Sequence, residues 1–164
     1  MVHRFVQALR ARRLLHAAVL LMILDLVGLG LASYLSVVEL QGQLPYCGPL
    51  HGCVEVAQSP YSRVGGIPVA VFGVGLSLVL LVLAYLWWRT GDGRLLAGHY
   101  ALSLVGVMFE GYFTYVELFV LHAVCVWCAA YGISLVLRFL VALWVWVKRP
   151  GGLLNNDLDE APDA

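Results

Sequence analysis

Apolar residues run along this chain in long blocks that are separated by short polar segments. The first block covers residues 14–38 and the second covers residues 67–88. Each block is long enough to cross the hydrocarbon core of a bilayer, which takes about 20 helical residues. The first block also exceeds the roughly 7–15 apolar residues of a signal-peptide core. We therefore predict two transmembrane helices, the first of them uncleaved.

The third apolar block is too long for a single span. Residues 95–137 contain no Lys or Arg, and at 1.5 Å per residue they would form about 64 Å of helix, twice the hydrocarbon thickness. The polar cluster Glu117–His122 is the place where such a chain can turn back. We therefore predict a third helix over residues 95–119 and a fourth over residues 124–147.

The remaining segments have compositions that cannot span a bilayer. Residues 39–66 are rich in Gly, Pro, Gln and Ser, and residues 89–94 form a short charged turn. The basic segment 1–13 precedes the first helix, and the acidic tail 148–164 follows the fourth and is predicted to be disordered. Four spans place both termini on one side of the membrane.

Composition supports the same interpretation. The chain is 62% hydrophobic and 12% charged, with a mean hydropathy of +0.87, whereas soluble domains carry about 25% charged residues. Basic residues concentrate at the ends of the helices that lie on the side of the termini, and Arg63 alone lies in the first loop. Those on the terminal side are Arg4, Arg10, Arg12, Arg13, Arg89, Arg94, Lys148 and Arg149. Such placement predicts cytoplasmic termini. Because membrane topology explains these basic residues, they do not indicate binding to a nucleic acid. The expected fold is an all-α integral membrane protein, a bundle of four transmembrane helices with an extracytoplasmic loop between helices 1 and 2.

Four cysteines lie at the predicted extracytoplasmic face, where disulfides persist. Cys125 and Cys128 occupy positions i and i+3 at the start of the fourth helix, on one face and close enough to open and close a disulfide. The first turn of a helix also favours a thiolate. The pair is therefore predicted to be a redox-active dithiol.

Cys47 and Cys53 in the first loop allow two interpretations. As a structural disulfide they would close a short loop worth about 2.4 kcal/mol. As a shuttle they would exchange both with a soluble thiol protein and with Cys125, which the spacing favours. A zinc site that adds His51 and His122 to the cysteines is a further alternative, although a dithiol that begins a transmembrane helix is unlike structural zinc motifs.

Several motifs occur in a specific order: Cys47-x₅-Cys53, then Ser59, then Gly66-Ile67-Pro68 at the start of an apolar helix, then Cys125-x-x-Cys128. Val56 and Tyr61 accompany them. In this the chain resembles the vitamin K epoxide reductase family, in particular its bacterial branch, over the region from helix 1 to about residue 147. The resemblance implies a four-helix bundle around a quinone (menaquinone or ubiquinone) in a bacterial inner membrane, with Cys125 and Cys128 as the active site.

By the same resemblance each cysteine acquires a role. Cys128 would reduce the quinone, Cys125 would exchange with Cys53, and Cys47 would be attacked by a periplasmic or extracellular thioredoxin-like protein. The net reaction makes a disulfide in the partner, which supports disulfide formation in exported proteins. Since only about fifteen residues follow Lys148, the thioredoxin-like partner is expected to be a separate protein. The alternatives are vitamin K-type recycling of quinone or its epoxide, a non-enzymatic tetraspan protein with structural disulfides, and a metal-binding membrane module.

Further residues are candidates for contact with the cofactor. Ser59 matches a serine that the family places near its active site, although a turn cap explains it equally well. Glu110 is a candidate proton donor, with a polar cavity group or a partner for Arg138 as the alternative. His122 is a candidate for stabilising the Cys125 thiolate. Aromatic candidates for the lining of a quinone cavity are Tyr112, Tyr115, Trp127 and Tyr131.

Ionisable residues inside a membrane need partners. Asp25 and Arg138 lie at matching depths in helices 1 and 4, and we predict that they face each other inside the bundle. Glu110 and Glu117 are seven residues apart, so they share one face of the third helix, directed toward the top of the fourth.

Overall fold

The computed structural model of the chain describes residues 2–47 and 52–148. Four helices in this part are long and apolar enough to cross a membrane, which confirms the all-α four-helix fold. The apolar spans are Leu15–Leu40, Val69–Thr90, Gly93–Leu121 and Val126–Val147. The helices are α1 (Val2–Leu40), α2 (Gly52–Gln58), α3 (Val69–Thr90), α4 (Gly93–Tyr115) and α5 (Val126–Lys148).

Helix ends follow the local sequence. Gly91 ends α3 in a left-handed conformation (φ 72°), and its N–H donates to the carbonyl of Trp87 at 2.8 Å. Asp92 then caps α4 by accepting the N–H of Arg94 at 2.9 Å. At its other end α4 continues into a π-helical turn, Val116–Leu121. The chain reverses at His122, one residue beyond that turn and in a left-handed conformation.

The loop between α1 and α3 is partly structured. After α2 come a 3₁₀ turn at Pro60–Ser62 and a small antiparallel hairpin of β1 (Arg63–Val64) and β2 (Ile67–Pro68). Gly65 and Gly66 form its two-residue turn with φ of 60° and 84°, a conformation that glycine adopts without a steric cost. The hairpin leads directly into α3.

The four long helices pack as a ring in which α1 and α4 each contact α3 and α5. We call the end of the bundle that carries the loop and the cysteines the cysteine end, and the opposite end the terminal end. A buried apolar cluster fills the terminal end and consists of Ala17, Ala18, Leu21, Ala84, Trp87, Leu96, Ala142 and Val145. Large apolar side chains cover much of the outside of the bundle, as lipid contact requires.

A fully buried polar layer lies in the interior of the bundle. The predicted pair of Asp25 and Arg138 is confirmed, with Nη1 of Arg138 at 3.5 Å from Oδ1 of Asp25. His99 on α4 also contacts Asp25, through Nε2 at 3.2 Å. Arg138 donates further bonds to the hydroxyls of Ser77 and Ser134 at 3.3 and 2.9 Å. The sequence did not point to His99 or to either serine.

Candidate functional site

A cavity of about 520 Å³ opens at the cysteine end between the long helices and the first loop. Its walls are mainly apolar, and a few polar groups point into it. Apolar lining residues include Leu35, Phe72, Leu76, Phe109, Phe113 and Leu135. The polar members are Glu39, Ser59, Ser62, Glu110, Glu117, Cys128 and Tyr131, with Tyr61 adding a further hydroxyl. Volume and lining are those of a site for a small, largely apolar ligand.

The two cysteines at the start of α5, Cys125 just before it and Cys128 within it, occupy different environments. Cys128 lines the cavity, whereas the neighbouring Cys125 is only 2% exposed and lies behind it. The backbone N–H of Cys128 donates to Sγ of Cys125 at 3.3 Å. A hydrogen bond from the Cys128 thiol lowers the pKa of the Cys125 thiol, although burial acts in the opposite direction. The hydrogen bonds around Cys125 therefore favour its thiolate form.

Glu117 lies directly beside this dithiol. Its carboxylate accepts the backbone N–H of Cys125 at 3.1 Å, and the residue is buried. The π-helical turn at Val116–Leu121 carries Glu117, and such turns occur frequently at functional sites. His122, the residue expected to assist Cys125, follows this turn and is exposed. The ionisable neighbour of the dithiol is thus the acidic residue Glu117. From the sequence we predict that Glu117 faces the top of the fourth helix, but not that it contacts Cys125.

The loop cysteines form a disulfide, with their Cα atoms 6.0 Å apart. Cys53 on α2 is completely buried, whereas Cys47 is partly exposed. Because this disulfide joins Cys47 to Cys53, the two are not available as ligands of a zinc site built from all four cysteines.

Close backbone packing brings the loop disulfide to the start of α5. A Cβ added to Gly52 would lie 2.5 Å from the carbonyl oxygen of Val124 and 2.8 Å from its nitrogen. Only glycine permits this approach. Gly52 immediately precedes Cys53 and Val124 immediately precedes Cys125, so the contact places the two cysteine pairs next to each other.

Trp127, between Cys125 and Cys128, makes its contacts outside the cavity. Its Nε1–H donates to the carbonyl of Tyr46 at 2.8 Å, and its ring lies 4.6 Å from that of Tyr34. The N–H of Tyr46 in turn donates to the Tyr34 hydroxyl at 3.4 Å. Trp127 does not line the cavity; it holds the segment that leads into Cys47.

Three of the six candidates for cofactor contact line the cavity, namely Ser59, Glu110 and Tyr131. Tyr112 and Tyr115 do not, since they are 53% and 56% exposed on the outer face of α4. Helical geometry explains the difference, because Glu110 shares its face with positions three to four residues away.

Phe113 and the largely exposed Phe109 line the cavity from α4 in place of the two tyrosines. Tyr115 instead stacks on Phe119 with ring centroids 5.0 Å apart, and Tyr112 contacts the edge of Phe113 at 5.5 Å. An aromatic residue near the end of a transmembrane helix does not by itself reveal which way it faces.

Hydroxyls at the cavity are held by backbone carbonyls. Ser59 Oγ donates to the carbonyl of Val56 at 2.7 Å, so it stabilises the end of α2 as a turn residue while it lines the cavity. Tyr131 donates to the carbonyl of Gly73 at 3.2 Å and lies 3.4 Å from Oγ of Ser77. Through Ser77 the cavity wall is connected to the buried polar layer.

A family model described as the vitamin K epoxide reductase family matches residues 19–143. This match includes most of the first and fourth spans, the whole of the second and third, and all four cysteines. The chain belongs to the vitamin K epoxide reductase family. No curated protein matched the chain. Membership in the vitamin K epoxide reductase family supports oxidoreductase activity in the membrane, and proteins of this family generally use quinones.

The residues present fit a quinone. A quinone ring is flat and apolar with two carbonyl acceptors, and the cavity offers apolar and aromatic walls with hydroxyl and carboxyl groups among them. Cys128 brings one sulfur of the Cys125–Cys128 pair to the same space. Ser59, Tyr131 and Glu110 are the polar residues of this family member that would hold the ring, and Phe109 and Phe113 would contact its faces.

Proposed function

We propose that the protein is a thiol:quinone oxidoreductase that reoxidises a separate thioredoxin-like protein outside the cytoplasm. The observation that carries this proposal is the graded exposure of the four cysteines. Cys47 is partly exposed, Cys53 and Cys125 are buried on segments that touch at Gly52 and Val124, and Cys128 lines the cavity. This order matches a path that leads from a soluble thiol to a lipid-soluble acceptor.

The first exchange takes place on the loop. A thiolate of the partner attacks Sγ of Cys47, the Cys47–Cys53 bond breaks, and Cys53 leaves as a thiolate. The second thiol of the partner then attacks the mixed disulfide, so the partner departs oxidised and both loop cysteines are reduced. Two electrons have entered the protein.

The second exchange takes place between the two pairs. Cys53 attacks Cys125 of an oxidised Cys125–Cys128 pair, and Cys47 then displaces Cys125, which restores the loop disulfide and leaves the α5 dithiol reduced. Bound quinone supplies the acceptor chemistry for two electrons and two protons. Cys128 presents its sulfur to the cavity for this step, while Glu110 and Glu117 hold carboxyl groups at the same wall.

We further propose that the cysteine end faces the extracytoplasmic side of a bacterial inner membrane, with cytoplasmic termini. Basic residues cluster on the terminal side in the sequence, which supports this orientation. An oxidising compartment at the cysteine end also favours the loop disulfide. The quinone would be the menaquinone or ubiquinone of that membrane.

Turnover by the purified protein tests the function. Detergent-purified protein, reduced thioredoxin and a short-chain ubiquinone should give oxidised thioredoxin at a rate abolished by Cys125→Ala or Cys128→Ala. A tetraspan protein with purely structural disulfides would give no quinone-dependent turnover. Activity that survives Cys128→Ala would overturn the proposed role of the cavity-facing sulfur.

Trapping tests the order of exchange. In a Cys47→Ala, Cys128→Ala double variant, Cys53 and Cys125 should form a disulfide that blocks alkylation of both. The matched control is Cys53→Ala, Cys128→Ala, which leaves the exposed Cys47 and the buried Cys125 and should form far less. Equal trapping in the two variants would contradict the proposed path.

A further inference from the structure

Two thiols and a carboxylate come together at the start of α5. Sγ of Cys125, Sγ of Cys128 and a carboxylate oxygen of Glu117 all lie within 4.8 Å of one another. In a tetrahedral zinc site with Zn–S bonds of about 2.3 Å, two sulfur ligands lie about 3.8 Å apart. The three atoms are thus close enough to bind one ion after small side-chain movements.

Hydrogen bonds already orient two of these ligands. The N–H of Cys128 donates to Sγ of Cys125 at 3.3 Å, and the N–H of Cys125 donates to Oε2 of Glu117 at 3.1 Å. Such outer bonds fix metal ligands in place and support the charge on a thiolate. Each of the two hydrogen bonds leaves further lone pairs on the sulfur or oxygen that accepts it, so neither bond prevents that atom from coordinating a metal ion. The set is also shielded, since Cys125 and Glu117 are 2% and 7% exposed.

We propose that the reduced dithiol and Glu117 form a binding site for one thiophilic divalent cation of the Zn²⁺ or Cd²⁺ class. The ligands are two thiolates and one carboxylate, and the fourth position is left for water from the cavity that Cys128 and Glu117 line. Binding releases the two thiol protons and transfers no electrons.

The site exists only in one redox state of the protein. When Cys125 and Cys128 are joined in a disulfide they offer no thiolate, so the cation binds the reduced pair alone. A bound cation holds both sulfurs as ligands, so neither can exchange with Cys53 or react with a ligand of the cavity. The dithiol is thereby blocked reversibly, and a chelator restores it. This inference depends on the thiol pair and Glu117, and it holds whether or not quinone is the acceptor.

Metal titration of the purified chain tests the site. A Cys47→Ser, Cys53→Ser background removes the loop thiols, so that only Cys125 and Cys128 remain. After reduction under anaerobic conditions, Co²⁺ should give a tetrahedral visible spectrum and Cd²⁺ a sulfur-to-metal absorption band, each saturating at one ion per chain. The same protein with an oxidised dithiol should give neither signal.

Substitutions of the carboxylate separate this site from a dithiol that binds metal without it. Glu117→Gln should weaken Cd²⁺ binding by about tenfold or more, the scale on which even outer-shell partners act. Glu117→His, which restores a ligand, should recover most of the affinity and shows that the loss is not one of folding. Glu39→Gln is the matched control, since Glu39 lines the same cavity but does not belong to the ligand cluster.

Either of two results would overturn the proposal. Unchanged Cd²⁺ affinity in Glu117→Gln would remove the carboxylate from the ligand set, and equal binding to the oxidised protein would place the ion elsewhere. These readouts need no quinone and no thiol partner. Failure of the metal site is therefore distinguishable from failure of the thiol:quinone function, which is judged by turnover.

Discussion

Single glycines decide how closely functional parts of this protein approach one another. Gly52 lets α2 lie against the backbone of Val124, and Gly28 leaves room for the guanidinium of Arg138, which a Cβ there would overlap. At both positions any larger residue must push a neighbour away. One contact joins the cysteine pairs and the other surrounds a buried charge, so the two substitutions should have different effects.

Gly52→Ala should slow exchange between the two cysteine pairs, because the added methyl group separates α2 from the start of α5. The expected result is a several-fold loss of the Cys53–Cys125 disulfide in the trapping background, with quinone affinity unchanged. Gly75→Ala is the control, since a Cβ there meets nothing within 4 Å. Equal trapping in the two variants would show that the approach at Gly52 is dispensable.

Asp25 and Arg138 should show strong coupling in a double-mutant cycle. Asp25→Asn or Arg138→Gln alone leaves an uncompensated buried charge, which costs about 3–5 kcal/mol. The double variant should lose less than the sum of the two single variants. Thermal unfolding in detergent measures the effect, and additive losses would contradict the pairing. His99, as a second partner of Asp25, should make Arg138→Gln the milder single change.

At the scale of elements, the phase of α4 decides which side chains can touch a ligand. Glu110 and Phe113 on α4 and Glu117 just beyond it line the cavity, and Phe109 lines it as well although 65% of the residue is exposed, whereas Tyr112 and Tyr115 do not line it. Phe109→Ala and Phe113→Ala should therefore raise the KM for quinone several-fold. Tyr112→Ala and Tyr115→Ala are the matched controls and should leave it nearly unchanged. The opposite result would place the ligand outside this cavity.

Sequence reasoning succeeded where one physical quantity dominates. Apolar length marks the four spans, and the cost of a buried charge marks Asp25 and Arg138 as partners. It did not reveal which way Tyr112 faces, since the presence of aromatic residues near an interface does not indicate which face of the helix they occupy. It also did not assign Glu117 to the dithiol, because a π-helical turn changes the residue spacing on which such an assignment depends.

At the scale of the whole molecule, sidedness is the property that the proposed function needs. In right-side-out membrane vesicles, a membrane-impermeant maleimide should label Cys47 after mild reduction. A cysteine introduced by Gly91→Cys, in the turn between α3 and α4, should react only after the membrane is permeabilised. The reverse pattern would contradict the proposed orientation, since the basic residues that predict it lie on the side of that turn.

The graded exposure of the four cysteines also has a kinetic consequence. Cys47 is the partly exposed cysteine of the loop pair, and Cys128 is the cysteine that lines the cavity. Under the proposed function the cysteines hold the two electrons between the half-reactions, so the partner leaves oxidised before the quinone is reduced. Steady-state rates should then follow a ping-pong pattern, with parallel double-reciprocal lines. A protein built in this way separates the aqueous thiols of one compartment from the electron carriers of the lipid while it transfers electrons between them.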